Sequence, residues 1–177
     1  MVKKISLFFG FMLFFIYALI YFTPKQSLYY LAEHKLKEYD VIISKEMVRD
    51  SGFSFYINNA DVSVKTISSA VIQKIKISCL IFYNSLSIKN ITLTSVARNF
   101  IPLNIDTVYI HYSIIHPIKL FINAKGEFGT AYGSINILKR VILIHLSPSK
   151  KMLRNYHSTL NMLKKDKNGG FVYEQSF

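Results

Sequence analysis

Cysteine, tryptophan and acidic residues are scarce in this chain. Its 177 residues include one cysteine, no tryptophan and ten Asp or Glu, against 22 Lys or Arg. The single thiol, Cys79, excludes an internal disulfide, so the fold depends on its hydrophobic core. Since Cys79 lies in the apolar run IKISCLIFY, we interpret it as a buried, unreactive thiol.

Sequence motifs for chemistry are also lacking. The glycines of KGEFGTAYGSINI, Gly126, Gly129 and Gly133, fit neither the spacing of a phosphate-binding loop nor that of a dinucleotide-binding turn. We interpret them as strand ends and bulges. The histidines lack the partners and spacing of a metal site, and no nucleophile elbow or paired carboxylates stand out. The sequence therefore predicts a protein that is not an enzyme, with no catalytic residues, metal or cofactor.

One long hydrophobic run is present. Ile5 to Phe22 carry no charge, and as a helix they would span about 27 Å, close to the hydrocarbon thickness of a bilayer. Bulky aromatic residues stand where a cleavable signal peptide needs small ones, so we favour an uncleaved anchor. Lys3 and Lys4 predict a cytoplasmic N-terminus, with the chain after residue 23 across the membrane. Residues 1–23 are thus predicted to form a cytoplasmic start and a transmembrane anchor.

Basic residues outnumber acidic ones, and the net charge is +12. On a cytosolic protein this excess would suggest nucleic acid. On an exported domain tied to a bilayer, the nearest polyanion is the layer of lipid headgroups. The default interpretation of these charges is a solvated surface rich in lysine. As partners, we expect the membrane and no nucleic acid.

Residues 24–40 have the pattern of an amphipathic linker helix. Thr23 is placed to cap it and Pro24 to be its first residue. Glu33 and Lys37 are spaced to form an i,i+4 ion pair. The apolar stripe expected to pack on the rest of the protein is Leu28, Leu31, Ala32, Leu36 and Tyr39.

From residue 41 the apolar period changes from 3.6 to 2. Short runs rich in Ile, Val, Phe, Tyr and Thr recur about every ten residues, and turn residues such as Asn58-Asn59 and Gly126 separate them. No strand–helix alternation is visible, so a parallel fold is not expected. The sequence predicts a mainly β protein, with 41–177 as an exported domain built on an antiparallel sheet, as a half-pipe or a sandwich.

Two of the predicted strands are apolar on both faces. In VIQKIKISCLIFY, Val71, Ile75 and Ile77 share one face before CLIFY becomes apolar throughout, and RVILIHL shows the same property. Such a strand is either sandwiched inside the protein or lines an apolar groove. The candidate groove residues are Leu80, Phe82, Ile142, Ile144 and Leu146.

A second amphipathic helix is predicted over 149–166. Met152, Leu153, Tyr156, Leu160 and Leu163 form its apolar stripe. Lys164, Lys165 and Lys167 fall in its last turn, where the helix dipole favours cations, and Gly169-Gly170 ends it. FVYE then offers a final strand. The candidate contacts to headgroups or partners are Lys150, Lys151, Arg154, Lys164 and Lys165.

The segments LYYLAEHKLKEYDVIISKE, INAKGEFGTAYGSINI, ILIHLSPS and GGFVYE follow the anchor in this order. This layout resembles the bacterial type II secretion system protein N family, which is similar to the AsmA-like envelope proteins. The chain is short for that family. The resemblance implies an anchored protein of the bacterial inner membrane, with a periplasmic domain that works with a secretion or lipid-traffic assembly. It implies no particular site residues.

Two functions remain open on the sequence. In the first, the doubly apolar strands line a groove for acyl chains and the lysines meet headgroups. In the second, the protein is a structural scaffold or interaction subunit of an envelope complex, which docks through sheet edges and the basic C-terminal helix and binds no ligand. An apolar face left open would favour the first, and a filled sandwich core the second.

Overall fold

The computed structural model describes residues 2–65, 67–166 and 169–177, without the side chain of Val2. Within these residues, eleven strands form one open antiparallel sheet, which confirms the mainly β prediction. The strands are β1 (Val41–Ser44), β2 (Met47–Ser51), β3 (Ser54–Val64), β4 (Ile67–Cys79), β5 (Tyr83–Leu93), β6 (Asn104–Ser113), β7 (Lys119–Gly126), β8 (Gly129–Asn136), β9 (Val141–Pro148), β10 (Lys164–Lys165) and β11 (Phe171–Ser176). The strands therefore form one sheet, and not the two packed sheets of a sandwich.

From β3 to β9 the sheet is a simple meander in which each strand pairs with the next. β1 and β2 both pair with β3, and β11 returns beside β9 with β10 outside it. Alternate turns of a meander lie at the same edge of the sheet. We call one edge the anchor edge, formed by the turns at 52–53, 80–82, 114–118 and 137–140 and by Phe177, and the opposite one the far edge.

The helices are α1 (Val2–Phe22), α2 (Lys25–Lys37), a 3-10 helix (Ser95–Asn99), α3 (Lys150–Asn155) and α4 (His157–Asn161). Within α1, the span Lys3–Phe22 is long and apolar enough to cross a membrane, and none of it is buried in the protein.

The single helix predicted over 149–166 is wrong. Tyr156, with φ −130° and ψ 40°, leaves the helical region and separates α3 from α4. Lys164 and Lys165 pair with Val172 and Phe171 in strands β10 and β11, so they cannot occupy the last turn of a helix. The prediction for Lys167 falls outside the described residues.

A row of matched irregularities crosses four strands at one level. The row contains one residue from each of the strands β3 to β6, namely Asn59, Gln73, Asn90 and Asp106. These residues lie opposite one another, and the regular pairing between the strands omits them. Asn59 and Asn90 have φ of 56° and 54°, in the left-handed region. The Asn90 side-chain amide donates to Gln73 Oε1 at 2.8 Å. Each of the four strands has one extra residue at this level, so the side chains beyond it alternate in the opposite sense. Because all four strands have this extra residue, the pairing register between them is kept.

This row corrects two sequence predictions. Asn58-Asn59 does not separate two strands, since it lies within β3. Val71 does not share a face with Ile75 and Ile77, because Gln73 intervenes; it is Ile72 that packs with them against the buried side chains of β3. Beyond such an extra residue, a strict alternation of period two assigns side chains to the wrong face of the sheet.

The end of α1 is fixed to the sheet. Lys25 is only 7% exposed. Its ammonium donates to the carbonyls of Ile20 and Thr23, at 2.9 and 3.2 Å, and so satisfies the last turn of α1. Asp50 on β2 accepts from the Lys25 backbone N–H at 3.2 Å and lies 3.7 Å from its ammonium. One lysine thus connects the apolar helix, the linker helix and the sheet.

Thr23 and Pro24 are placed differently from the prediction. Pro24 is the N-cap residue of α2 and makes no side-chain cap, and the helix begins at Lys25. The Thr23 hydroxyl donates instead to the Leu19 carbonyl, at 2.6 Å, and thereby belongs to the end of α1. The Glu33–Lys37 pair is confirmed, with 2.9 Å between the charged atoms.

Asn90 offers a direct test of the row of irregularities. We expect Asn90→Val to lower the free energy of unfolding by about 1–2 kcal/mol, because a β-branched residue is strained at positive φ. Asn90→Gly, which loses the same amide bond to Gln73 without that strain, should unfold closer to the native protein. Thermal unfolding of the full chain in detergent measures both. Asn123→Val, on a regular stretch of β7, is the matched control, and equal losses in the Val and Gly variants of Asn90 would contradict the account.

Candidate functional site: an apolar face with two helical caps

One face of the sheet is apolar across nearly its whole width. The pairing register aligns Phe55, Ile77, Leu86, Ile110 and Ile122 from β3 to β7. Serine, lysine, tyrosine and histidine residues predominate on the other face, although Phe121 and Leu143 also lie there. Other residues of the apolar face are Ile57, Ala60, Ile75, Ile72, Ile88, Ile91, Val108, Ile105, Ala124, Ala131, Ile135, Ile142, Ile144, Leu146, Phe171 and Tyr173.

This face is only partly covered. Most of its side chains are half-buried, and full burial is confined to Ile91 and to clusters at the two ends of the sheet. A compact monomer of 20.5 kDa exposes about 8,900 Å², whereas this chain exposes 12232 Å². The bare helix α1 and the half-covered face both contribute to the excess.

The first cap is α2, which covers the β3 end of the face. The Tyr29 ring lies on Phe55, with 5.6 Å between ring centroids, and contacts the cluster of Phe55, Ile57 and Ala60. Burial raises the pKa of the Tyr29 hydroxyl, and the nearby Glu46 carboxylate adds to the effect.

The predicted apolar stripe of α2 is not the face that packs. Leu28, Leu31, Ala32, Leu36 and Tyr39 are all exposed. The more buried positions are Lys25, Tyr29 and Glu33, which recur every four residues. The Lys25–Asp50 joint and the Tyr29–Phe55 contact fix the rotation of the helix, and they override its amphipathic pattern.

The second cap is formed by α3 and α4 at the other end. Met152, Tyr156 and Leu160 are buried with Phe128, as the predicted stripe of this region requires, but Leu153 is exposed. Ser149 caps α3, since its hydroxyl oxygen accepts from the Met152 N–H at 3.1 Å. The same hydroxyl donates to the Glu127 carbonyl at 2.6 Å, which ties α3 to the turn between β7 and β8.

An apolar cavity of about 280 Å³ lies beneath this second cap. Its lining carries no charged side chain and consists of Ile101, Ile105, Val108, Ala124, Phe128, Ala131, Ile144, Leu146, Met152, Leu163 and Tyr173. Ala124 and Ala131 stand opposite each other on β7 and β8 and leave the space that larger side chains would fill.

The cavity also reveals the curvature of the sheet. Val108 on β6 and Tyr173 on β11 both line it, although four strand spacings would put these strands about 19 Å apart in a flat sheet. The sheet therefore bends around the cavity. A smaller depression of about 190 Å³, lined in part by Ile77, Leu86, Ile110 and Leu120, lies on the same face towards β4.

The five predicted groove residues separate into two places. Ile144 and Leu146 line the cavity, and Ile142 lies on the same face beside Ile135. Leu80 and Phe82 lie elsewhere, in the turn between β4 and β5 at the anchor edge. The segment CLIFY has the composition of a strand that is apolar on both faces. In the structure its apolar residues instead belong to a strand end and an exposed turn.

The five predicted headgroup contacts are all exposed, but two of them form ion pairs with carboxylates of this chain. Lys151 pairs with Glu127 at 2.6 Å, and Lys164 pairs with Glu174 at 3.4 Å. Among the described residues, Lys150, Arg154 and Lys165 make no ion pair.

Sequence reasoning missed Ala124, Ala131 and Phe128. The alternation of Ile122 and Ala124, and then of Ala131 and Ile135, is visible in INAKGEFGTAYGSINI and is the signal that could have placed these residues on the apolar face. The interpretation as strand ends is confirmed for Gly126 and Gly129, which flank a two-residue turn, but it is wrong for Gly133, which lies within β8 and pairs regularly with Ile122 and Ile144. Among the described residues, no group of three His, Cys, Asp or Glu side chains is placed to hold a metal ion.

The Glu127–Lys151 contact gives a pH-dependent test of the second cap. The hydrogen bonds from Lys151 and then Asn104 lower the pKa of the Glu127 carboxyl. A lowered pKa stabilises the fold above the ordinary value of about 4.3, and this stabilisation disappears as the pH falls through the lowered pKa. We expect Glu127→Gln to lower the melting temperature at neutral pH by an amount worth less than about 1 kcal/mol, since the pair is partly solvated.

In acid the melting temperatures of the Glu127→Gln variant and the native protein should converge. Glu174→Gln, which removes the more exposed carboxylate of the Lys164–Glu174 ion pair, controls for the loss of one charge. A difference between Glu127→Gln and the native protein that stays constant from neutral pH into acid would contradict this role for Glu127.

No family model, no curated protein and no solved structure matches this chain.

Proposed function

We propose that this chain is a membrane-anchored, non-enzymatic protein that binds an acyl chain of a lipid on the apolar face of its sheet. The observation that carries the proposal is the partly open cavity of about 280 Å³, whose lining is apolar and carries no charged group. A polar ligand would lose its hydration there without gaining partners, whereas an acyl chain would not. Monomeric proteins seldom leave an apolar surface of this extent uncovered without a use.

The size of the cavity suits part of a lipid and not the whole molecule. Ligand pockets commonly hold roughly 300–1,000 Å³, and this cavity is at the lower limit. The half-buried face continues from Ile144 on β9 to Ile122 on β7 and Ile110 on β6. A longer acyl chain therefore has a continuous apolar path across these strands. The headgroup would remain outside, where the unpaired Lys150, Arg154 and Lys165 are the proposed contacts.

We place the protein in a bacterial inner membrane, with its N-terminus cytoplasmic and the sheet in the periplasm. The exposed apolar helix α1 supports an anchor, and Lys3 and Lys4 at its start support the orientation. The order of its segments, similar to the type II secretion protein N and AsmA-like proteins, supports a role in envelope secretion or lipid traffic.

The scaffold alternative finds less support in the edge strands. β10 has two residues, and the β1–β2 edge is interrupted between Ser44 and Met47. Short, interrupted strands with charged side chains such as Lys45 and Arg49 disfavour pairing with another chain. Docking of another protein through these edge strands therefore explains fewer features of the structure than an acyl-chain site does.

Filling the cavity tests the proposal. Ala131→Leu puts a larger side chain among Ala124, Leu146 and Met152, and we expect it to weaken binding of a phospholipid with a fluorescent acyl chain by at least about tenfold. Thermal unfolding of the same full-length sample in detergent should show at most the loss of about 1–3 kcal/mol that overpacking causes. Thr130→Leu, the adjacent exposed residue on the opposite face, should bind the probe like the native protein. A folded Ala131→Leu variant with native binding would refute the proposal.

A further inference from the structure

The turns of the anchor edge are strongly apolar and exposed. Antiparallel turns usually carry polar and small residues, but these carry isoleucine, leucine and phenylalanine. Ile115 is 79% exposed and Leu138 is 75% exposed. The other exposed hydrophobic residues here are Leu80, Phe82, Ile114, Ile118, Ile137 and the terminal Phe177.

Hydrogen bonds join these turns into one row. The backbone N–H of Cys79 donates to the Phe53 carbonyl at 2.9 Å, and that of Ile114 donates to the Phe82 carbonyl at 3.1 Å. Two further backbone bonds, Ile137 N–H to the Ile118 carbonyl and Phe177 N–H to the Arg140 carbonyl, both at 3.0 Å, continue the row. With seven strand spacings from β3 to β11, the row is about 34 Å long when measured along the curved sheet.

The first turn of this row rests against α1. Phe53 makes edge-to-face contacts with Tyr17 and Tyr21, at 5.9 and 5.4 Å between ring centroids. A Cβ on Gly52 would overlap the Tyr21 ring, so the backbone approaches the helix closely. Tyr17 precedes the end of α1 at Phe22 by about 7.5 Å of helix. The row of turns therefore begins at the depth where the apolar helix would leave a bilayer.

The charges of the row also suit a membrane surface. The turns at 80–82, 114–118 and 137–140 contain no carboxylate, while Lys119, Lys139 and Arg140 are exposed at the turns. Lysine and arginine can place their stems along acyl chains and their charges among anionic headgroups. At the far edge the turn between β7 and β8 instead buries Phe128 and carries the Glu127–Lys151 ion pair.

We propose that the anchor edge of the sheet is a second membrane-binding surface, with its apolar turns in the boundary between lipid headgroups and acyl chains. The occupant is the bilayer that α1 crosses, because the row continues from the contact with that helix. The strands then stand on the membrane, and the apolar face extends away from the bilayer surface along them. This surface does not depend on acyl-chain binding in the cavity.

Spin labels on the full chain test this surface. In a Cys79→Ser background, single cysteines at Ile115 and Leu138 carry a nitroxide, and the protein is reconstituted in vesicles of phosphatidylethanolamine and phosphatidylglycerol. Collision rates with oxygen, which concentrates in lipid, and with a water-soluble nickel chelate report the surroundings of each label. A label at Met162 is the matched control, since Met162 is 78% exposed but lies near the far edge, just before β10.

We expect labels at Ile115 and Leu138 to collide several-fold more with oxygen, and several-fold less with the nickel chelate, than the label at Met162. A fourth label at Phe11, within α1, reports insertion of the anchor in the same preparation. If Phe11 is in lipid while Ile115 and Leu138 are as water-accessible as Met162, the proposal is overturned. A water-accessible Phe11 also overturns it, because the row of turns would then have no membrane beside it.

Discussion

The apolar face of the sheet must be kept from water, and two small helical caps cover only its ends. Tyr29 on α2 covers Phe55 at one end, and Met152, Tyr156 and Leu160 cover Phe128 at the other. Between these caps the side chains are half-buried. Burial of apolar area contributes about 25 cal/mol per Å², so a ligand or a membrane that completes this burial would stabilise the fold as it binds.

The anchor, the open face and the apolar turns share one geometry. Lys25 holds the end of α1 to Asp50, and Phe53 packs on Tyr21, so the sheet cannot rotate freely about its tether. In the proposed membrane arrangement, this fixed joint would orient one edge of the meander towards the bilayer. A flexible linker at this position would leave the orientation of the sheet undefined and would not favour any edge for contact with lipid.

The sequence predicted the strands well because alternation and turn residues are local signals. It could not show that β3 to β6 each take one extra residue, since the polar row Asn59, Gln73, Asn90 and Asp106 becomes meaningful only when the strands are aligned. The rotation of α2 was also hidden, because it depends on Lys25 and Tyr29 meeting distant residues on β2 and β3.

The candidate site was predicted in part for the same reason. Ile142, Ile144 and Leu146 follow from alternation within one strand, and they lie together on the apolar face. Ala131 and Met152 come from different segments, and the cavity between them arises only from tertiary packing. Leu80 and Phe82 were misplaced because an apolar hairpin turn has the composition of a buried strand.

Photo-crosslinking from neighbouring positions of β9 tests the central claim most directly. A benzophenone amino acid replaces Ile144, on the apolar face, or Leu143, on the opposite face at the same height of the sheet. After irradiation of the full chain in bacterial lipid vesicles, mass spectrometry detects attached lipid. The account predicts a lipid adduct at Ile144, formed through an acyl chain, and little or none at Leu143. Equal adduct at both positions, or none at Ile144 in a folded protein, would contradict it.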